Sequence, residues 1–304
     1  MILCRSKEVV GRQNTAMGFC SLVAQDGGIF VLTMATTDGH QYLNDEAITE
    51  LVDKLSTVRK NPELRGLVTT SKIGSFCDGI DYDNNPEEQA AHLAQGMAEV
   101  IRLLLEMPVP TAAAVAGNAT SLGLALALAH DHCVVWDYAV VMLPEAQRGR
   151  PLPEYASALL RDKVAHARLR KLLMLKSQRC TGKELASTWY SAHCANSDRA
   201  ALVNSAWEVL EGVEVGKGTD FAKARQIMWP ESCAAVGVAT LPPRPRPSPQ
   251  ELQSEKAKQD PGKIFDKQNK PALQRGSGNA IYTLSSVNII PMPLTYRCLR
   301  INSI

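Results

Sequence analysis

The chain has 304 residues, 45% hydrophobic and 21% charged, which is enough apolar material to bury a large core in one domain or two small ones. Lys plus Arg number 33 against 31 Asp plus Glu, and the basic residues form no stripe interleaved with aromatics, so no nucleic-acid partner is expected. The eight cysteines are scattered, with no C-x-x-C pair and no histidine at zinc-ligand spacing; they read as reduced thiols of an intracellular protein, with no metal site.

Residues 1–16 read as a disordered extension, basic but without the continuous apolar segment of a secretory signal, and Met17 stands just before the first strand-like pattern. From residue 28 onward strand-like and helix-like segments alternate. GIFVLTMAT (28–36) is rich in β-formers; Ile48, Leu51, Val52 and Leu55 then recur at helical spacing behind Asn44 as the cap. GLVTTS (66–71) is a second strand. After a loop, the segment from Pro86 to Glu106 sets Leu93, Met97, Val100, Ile101 and Leu104 on one helical face, with Pro86 suited to the first turn. TAAAVAG (111–117) reads as a buried strand, SLGLALALAHD as a helix packed on several sides, and HCVVWD and VVML as further strands. The apolar run SLGLALALA (121–129) is far short of the roughly 20 residues that span a bilayer, so no membrane insertion is expected.

This β-α-β alternation predicts a parallel sheet covered by helices. From 152 to about 230 the pattern changes to helices without intervening strands. Beyond about 238 the run LPPRPRPSPQELQSEKAKQDPGK carries prolines and charges that cannot assemble a core. The expected organisation is therefore an α/β domain over 17–237, its α/β core reaching about 150 with a helical portion after it, then a disordered tail over 238–304.

Ligands bind α/β sheets outside the carboxyl ends of strands, which singles out a few junctions. In SKIGSFCDGIDYDN (71–84), Gly79 permits a sharp bend that aims the next amide at a ligand oxygen; on this segment alone a surface turn is the simpler reading. In AVAGNATSLGLALALAHD (114–131), a strand turns through Gly117 into a helix beginning near Ser121, without a dinucleotide fingerprint or a P-loop lysine. Glu145 follows Pro144 directly after a strand. It is either an ordinary surface glutamate or a carboxylate whose apolar surroundings raise its pKa for general-base work. His130 and His132, beside Asp131, read as a helix-end feature, since no Gly-x-Ser-x-Gly elbow or activated cysteine partners them.

As a set, Phe76 to Asp81, Ala114 to Gly123 and Pro144-Glu145 resemble the crotonase, or enoyl-CoA hydratase/isomerase, superfamily, in which an [FY]-x-x-G-x-D loop, an A-x-x-G-x-x-x-x-x-G turn and a P-E step follow one another at similar distances. The likeness covers roughly residues 18 to 235. It implies a ββα superhelix followed by C-terminal helices, and an acyl-CoA substrate. By motif match the backbone amides of Ile80 and Leu122 would hold the thioester oxygen, Glu145 would be catalytic, and Ser75, Phe76, Gly79, Asp81, Tyr82 and Gly123 would shape the substrate site. Many relatives carry glycine at the Leu122 position, where a side chain is tolerable if it turns away.

Hydratases of the superfamily use two glutamates, and the first falls where this chain has Ala125. A single glutamate points to isomerisation, and the pattern is similar to plant peroxisomal monofunctional Δ3,Δ2-enoyl-CoA isomerases, which also lack the glycine triplet and carry a G-x-x-L-P segment, here Gly149 to Pro153. The resemblance implies double-bond migration in fatty acid β-oxidation without metal or redox cofactor, CoA being part of the substrate. It also implies a trimer or hexamer, and a peroxisomal location. Asn302-Ser303-Ile304 does not resemble the import tripeptide Ser-Lys-Leu, which leaves the cytoplasm as the other reading. The alternatives are a hydratase-type acyl-CoA enzyme and a non-catalytic protein of the same fold that binds acyl-CoA or other subunits.

Overall fold

Short strands that cannot close a core alone are paired here with strands from distant parts of the chain. The computed structural model describes residues 18–35, 41–72, 74–186, 193–194, 198–211, 213 and 220–238. The elements run β1 (Cys20–Ala24), β2 (Ile29–Met34), α1 (Asp45–Arg59), β3 (Gly66–Ser71), β4 (Ser75–Cys77), α2 (Glu87–Leu105), β5 (Thr111–Val115), β6 (Asn118–Thr120), α3 (Leu122–Leu128), β7 (His132–Trp136) and β8 (Val140–Met142). They continue with α4 (Glu154–Lys163), α5 (Ala167–Lys176), β9 (Cys180–Thr181), α6 (Gly182–Ala186), β10 (His193–Cys194), α7 (Arg199–Glu211), α8 (Phe221–Met228) and α9 (Pro230–Ala235).

The strands form two sheets, ordered β1-β2-β3-β5-β7-β10 and β4-β6-β8-β9. Three successive units, β3-β4-α2, β5-β6-α3 and β7-β8-α4, each place one strand in the large sheet, a shorter one in the small sheet, and then a helix. Corresponding strands of neighbouring units pair in parallel. The architecture is thus a ββα superhelix with helices after it, as the resemblance implies.

Composition follows coverage. β5 is buried on both faces: Ala113 and Val115 join the main core, while Ala112 and Ala114 join a second cluster formed with Leu202, Ala206 and Leu210 of α7. Alternate residues of a strand point to opposite faces, and small side chains let both layers approach closely. All seven residues of α3 are buried, which explains a helix that is apolar all round.

Local signals also hold at helix ends. Asn44 Oδ1 accepts from the Ala47 amide at 2.8 Å, capping α1. Asn44→Ala should cost about 1 kcal/mol, read as a lower urea midpoint with unchanged slope; an unchanged midpoint would show that the cap contributes nothing.

The structure departs from the sequence reading in its shortest strands. The expected loop over 71–84 contains β4, and the strand expected to turn directly into a helix near Ser121 passes first through β6. The expected purely helical portion also includes the two-residue strands β9 and β10. Strands of two or three residues show no period of two, and what holds them is pairing at long range: Ser75 with Asn118, Thr120 with Met142, Val141 with Cys180.

The later helices are tied back by buried polar groups. Arg225 of α8, 2% exposed, donates from Nε to Asp131 Oδ1 at 2.7 Å and from Nη2 to the Val109 carbonyl at 2.7 Å, and it also bonds the Met107 carbonyl. Cys20, Cys77, Cys133, Cys180 and Cys233 are buried free thiols. Among the described residues no helix is long and apolar enough to cross a membrane. The extension expected over 1–16, and the expected tail apart from residue 238, lie outside the described residues.

Candidate active site

The register of the small sheet brings the second and third motifs together. Thr120 pairs with Met142, and the Ser121 amide donates to the Met142 carbonyl at 3.0 Å. The chain leaving β8 passes Leu143 and Pro144 and delivers Glu145 beside the turn that opens α3. Ser121 Oγ donates to Glu145 Oε1 at 2.5 Å. Glu145 is 3% exposed, which removes the surface reading, and its Oε2 has no hydrogen-bond partner among the described residues. Burial pushes its carboxyl above the usual glutamate range, opposed by the Ser121 hydrogen bond and more weakly by the Arg148 charge. A carboxyl raised in this way holds a proton more strongly than a free glutamate, a property that general-base work requires.

The first motif packs directly onto the same turn. Leu43 donates to the Gly79 carbonyl at 2.8 Å and Asp78 to the Gln41 carbonyl at 3.0 Å, holding the bend that follows β4. Gly79 has φ of +76°, and a β-carbon there would stand 2.8 Å from the Leu122 nitrogen and 2.9 Å from Ser121 Cβ. A β-carbon on Gly123 would meet the Cys77 carbonyl oxygen at 2.0 Å. Only glycine at both positions lets the two backbones touch. Among the described residues, neither the Ile80 amide nor the Leu122 amide donates to an acceptor. The Leu122 side chain packs in the main core and leaves only its backbone at the turn.

The remaining residues divide between support and surface. Ser75 pairs within the small sheet, and Phe76 is fully buried in the main core; among the described residues neither is hydrogen-bonded to Glu145. Asp81 accepts from the Asp83 and Asn84 amides at 3.2 Å each and from Asn84 Nδ2 at 2.6 Å, and so shapes its own turn. Tyr82 lines a cavity of about 940 Å³ between α2 and residues 148–155, whose walls include Ala94, Ala98, Arg150 and Tyr155. Burial and then the Glu145 charge raise the Tyr82 hydroxyl, against a hydrogen bond with Ser121. Tyr82 thus sits between Glu145 and the cavity.

His130 is a buried core residue, bonded through Nδ1 to the Leu126 carbonyl at 2.9 Å and through Nε2 to Thr69 Oγ1 at 2.8 Å. Burial pushes its pKa down to about 4, so it stays neutral, and Asp131 beside it is committed to Arg225. Sequence reasoning missed Ser121, Tyr155 and Arg148. A hydroxyl residue directly before the turn amide of Leu122 was the available signal for Ser121; Tyr155 and Arg148 carry none.

A ββα superhelix with a buried carboxylate at a glycine-lined backbone junction is the arrangement that the crotonase resemblance implies. The family model described as enoyl-CoA hydratase/isomerase matches residues 24–189. The chain belongs to that family. It is 30% identical over 227 residues to a protein of Arabidopsis thaliana named peroxisomal enoyl-CoA delta isomerase 2, covering 70% of this chain and 94% of that protein. Enoyl-CoA delta isomerase 3 of the same plant is 28% identical over 69% of this chain and 92% of its own length. Among solved structures, an enoyl-CoA hydratase from Mycobacterium marinum superposes with a TM-score of 0.62 at 18% identity, covering 73% of this chain and 94% of that one. A mycobacterial enoyl-CoA isomerase superposes with 0.63 at 17% identity, covering 73% and 95%.

Proposed function

We propose that the protein is a Δ3,Δ2-enoyl-CoA isomerase that moves the double bond of a 3-enoyl-CoA to the trans-2 position. The observation that carries this reading is the solitary state of the buried carboxylate. Glu145 offers Oε2 with no hydrogen-bond partner among the described residues, and Ala125, 2% exposed on the all-apolar α3, occupies the place where the family resemblance sets a hydratase's other glutamate. Adding water requires an acid and a base placed around it, whereas shifting a double bond requires one group that takes a proton and returns it elsewhere.

In the proposed reaction Glu145 Oε2 removes a proton from carbon 2. The electron pair of that C–H bond enters the thioester carbonyl as an enolate, which the Ile80 and Leu122 amides stabilise. When the same proton returns to carbon 4, the C3–C4 π electrons form the new C4–H bond, the enolate electrons form the C2–C3 double bond, and the carboxylate is regenerated. This proton balance calls for no metal or redox cofactor, and CoA enters as part of the substrate. The cavity behind Tyr82 is the proposed site of the acyl chain.

Relatives named peroxisomal favour that compartment and a place in β-oxidation, although a Homo sapiens relative at 29% identity is named mitochondrial. Assembly as a trimer, or as paired trimers, is proposed on the family resemblance.

Purified protein mixed with 3-hexenoyl-CoA should produce trans-2-hexenoyl-CoA, seen as the absorbance of the conjugated thioester and by mass. A 3-hydroxyhexanoyl product would replace this reading with the hydratase. Binding without turnover would replace it with the non-catalytic acyl-CoA binder.

A further inference from the structure

The link between Ser121 and Glu145 has consequences beyond the assignment of a base. Ser121 is 1% exposed, and its backbone adopts φ 55° and ψ −133°, a region that favours glycine. A serine kept in a conformation strained for an L-residue calls for a compensating interaction. Its amide is anchored to the Met142 carbonyl at 3.0 Å, so the hydroxyl is presented from a fixed backbone. That hydroxyl meets Glu145 Oε1 at 2.5 Å, while the other carboxylate oxygen, Oε2, has no hydrogen-bond partner among the described residues.

We propose that Ser121 is a positioning residue that locks Glu145 Oε1, so that Oε2 alone both removes and returns the proton, and that it ties the base rigidly to the turn offering the Leu122 amide. The geometry that supports this is local and complete. Ser121 precedes the amide in sequence and touches the carboxylate in space, so one residue fixes the distance between the two halves of the site. Placement matters because proton transfer needs the reacting atoms within hydrogen-bond reach, and small misplacements are costly. The catalytic consequence rests on the isomerase reading; the effect on the carboxylate does not.

Besides Ser121, the groups acting on this carboxylate are its own backbone amide, Arg148 from the same segment, Tyr82 from the loop after β4 and Tyr155 from α4, with Arg150 stacked 5.5 Å over the Tyr82 ring. All of these remain when the hydroxyl is removed. Because the hydroxyl stabilises the ionised form, its loss must move the Glu145 titration further upward. The base is active when ionised, so the acid limb of kcat/KM must move to higher pH.

Ser121→Gly is the decisive variant, since glycine accepts the backbone conformation, and Ser121→Ala is its companion. Thermal unfolding of Ser121→Gly should occur at or above the wild-type temperature. With 3-hexenoyl-CoA, kcat should fall about ten- to a hundred-fold, the range for loss of one hydrogen bond to a charged group, with KM within about two-fold. Carbon-13 NMR of labelled glutamate, compared with Glu145→Gln to identify the signal, should show the carboxyl titrating at higher pH in both serine variants. An unmoved titration overturns the proposal, as does a change confined to KM. The titration does not require turnover: an inactive wild type would sink the isomerase reading while the NMR comparison still decides the Ser121 link.

Discussion

Glu145→Gln should lower kcat for double-bond migration by about 10³-fold, within the 10²- to 10⁴-fold typical of a general base. The substitution keeps shape and size. The amide oxygen can still accept from Ser121, and the NH₂ group takes the place of Oε2, so the site keeps its packing and loses only the lone pair that receives the proton. KM and the affinity for a saturated acyl-CoA should change little. Retention of more than a tenth of wild-type kcat would remove Glu145 from the chemistry.

Stability should respond in the opposite direction. The folded-state pKa of Glu145 is raised by burial, so the carboxyl penalises folding increasingly as the pH climbs above its unfolded value, where the unfolded chain ionises first, and fully once the pH exceeds its folded value. Below the unfolded value both states are protonated and the penalty vanishes. The glutamine variant should therefore match the wild type near pH 4 and unfold at a higher temperature near pH 8. A functional carboxylate kept at a cost in stability is a common arrangement in active sites.

Gly79→Ala should reduce kcat by about 10²- to 10³-fold, the scale set by removal of one preorganised amide from a developing oxyanion. The added methyl would stand 2.8 Å from the Leu122 nitrogen and 2.9 Å from Ser121 Cβ. Neither atom belongs to the flexible end of a long side chain, so the turn must open. Opening it separates the Ile80 and Leu122 amides. Backbone conformation contributes as well, since φ of +76° costs an L-residue roughly 1–2 kcal/mol.

Gly27→Ala separates the two effects. Gly27 has the same φ of +76° but nothing within 4 Å of its would-be β-carbon, so alanine there should lower stability and leave kcat alone. Wild-type kcat in folded Gly79→Ala would overturn the assignment of the amide pair.

The helix Glu87–Leu105 was legible in the sequence because it is long enough for its own periodicity to exceed noise, and the strand Gly66–Ser71, buried along its whole length, from its run of β-forming residues. β4, β6, β9 and β10 were not, because two or three residues carry no period and owe their existence to partners as distant as Ser75 and Asn118. Glu145 could be singled out only as a charge at the end of an apolar run, equally readable as a surface residue. Its burial depends on β8, α3 and α4 converging, which no local window contains.

What the sequence determined by itself is the chemical inventory and its order: glycines at 79 and 123 where two backbones must touch, alanine at 125, and one carboxylate after Pro144. The tertiary structure alone decided which groups meet. Hydrogen bonds and steric contacts act over about 3 Å, and the 24 residues separating Ser121 from Glu145 say nothing about that distance until β6 and β8 pair in register.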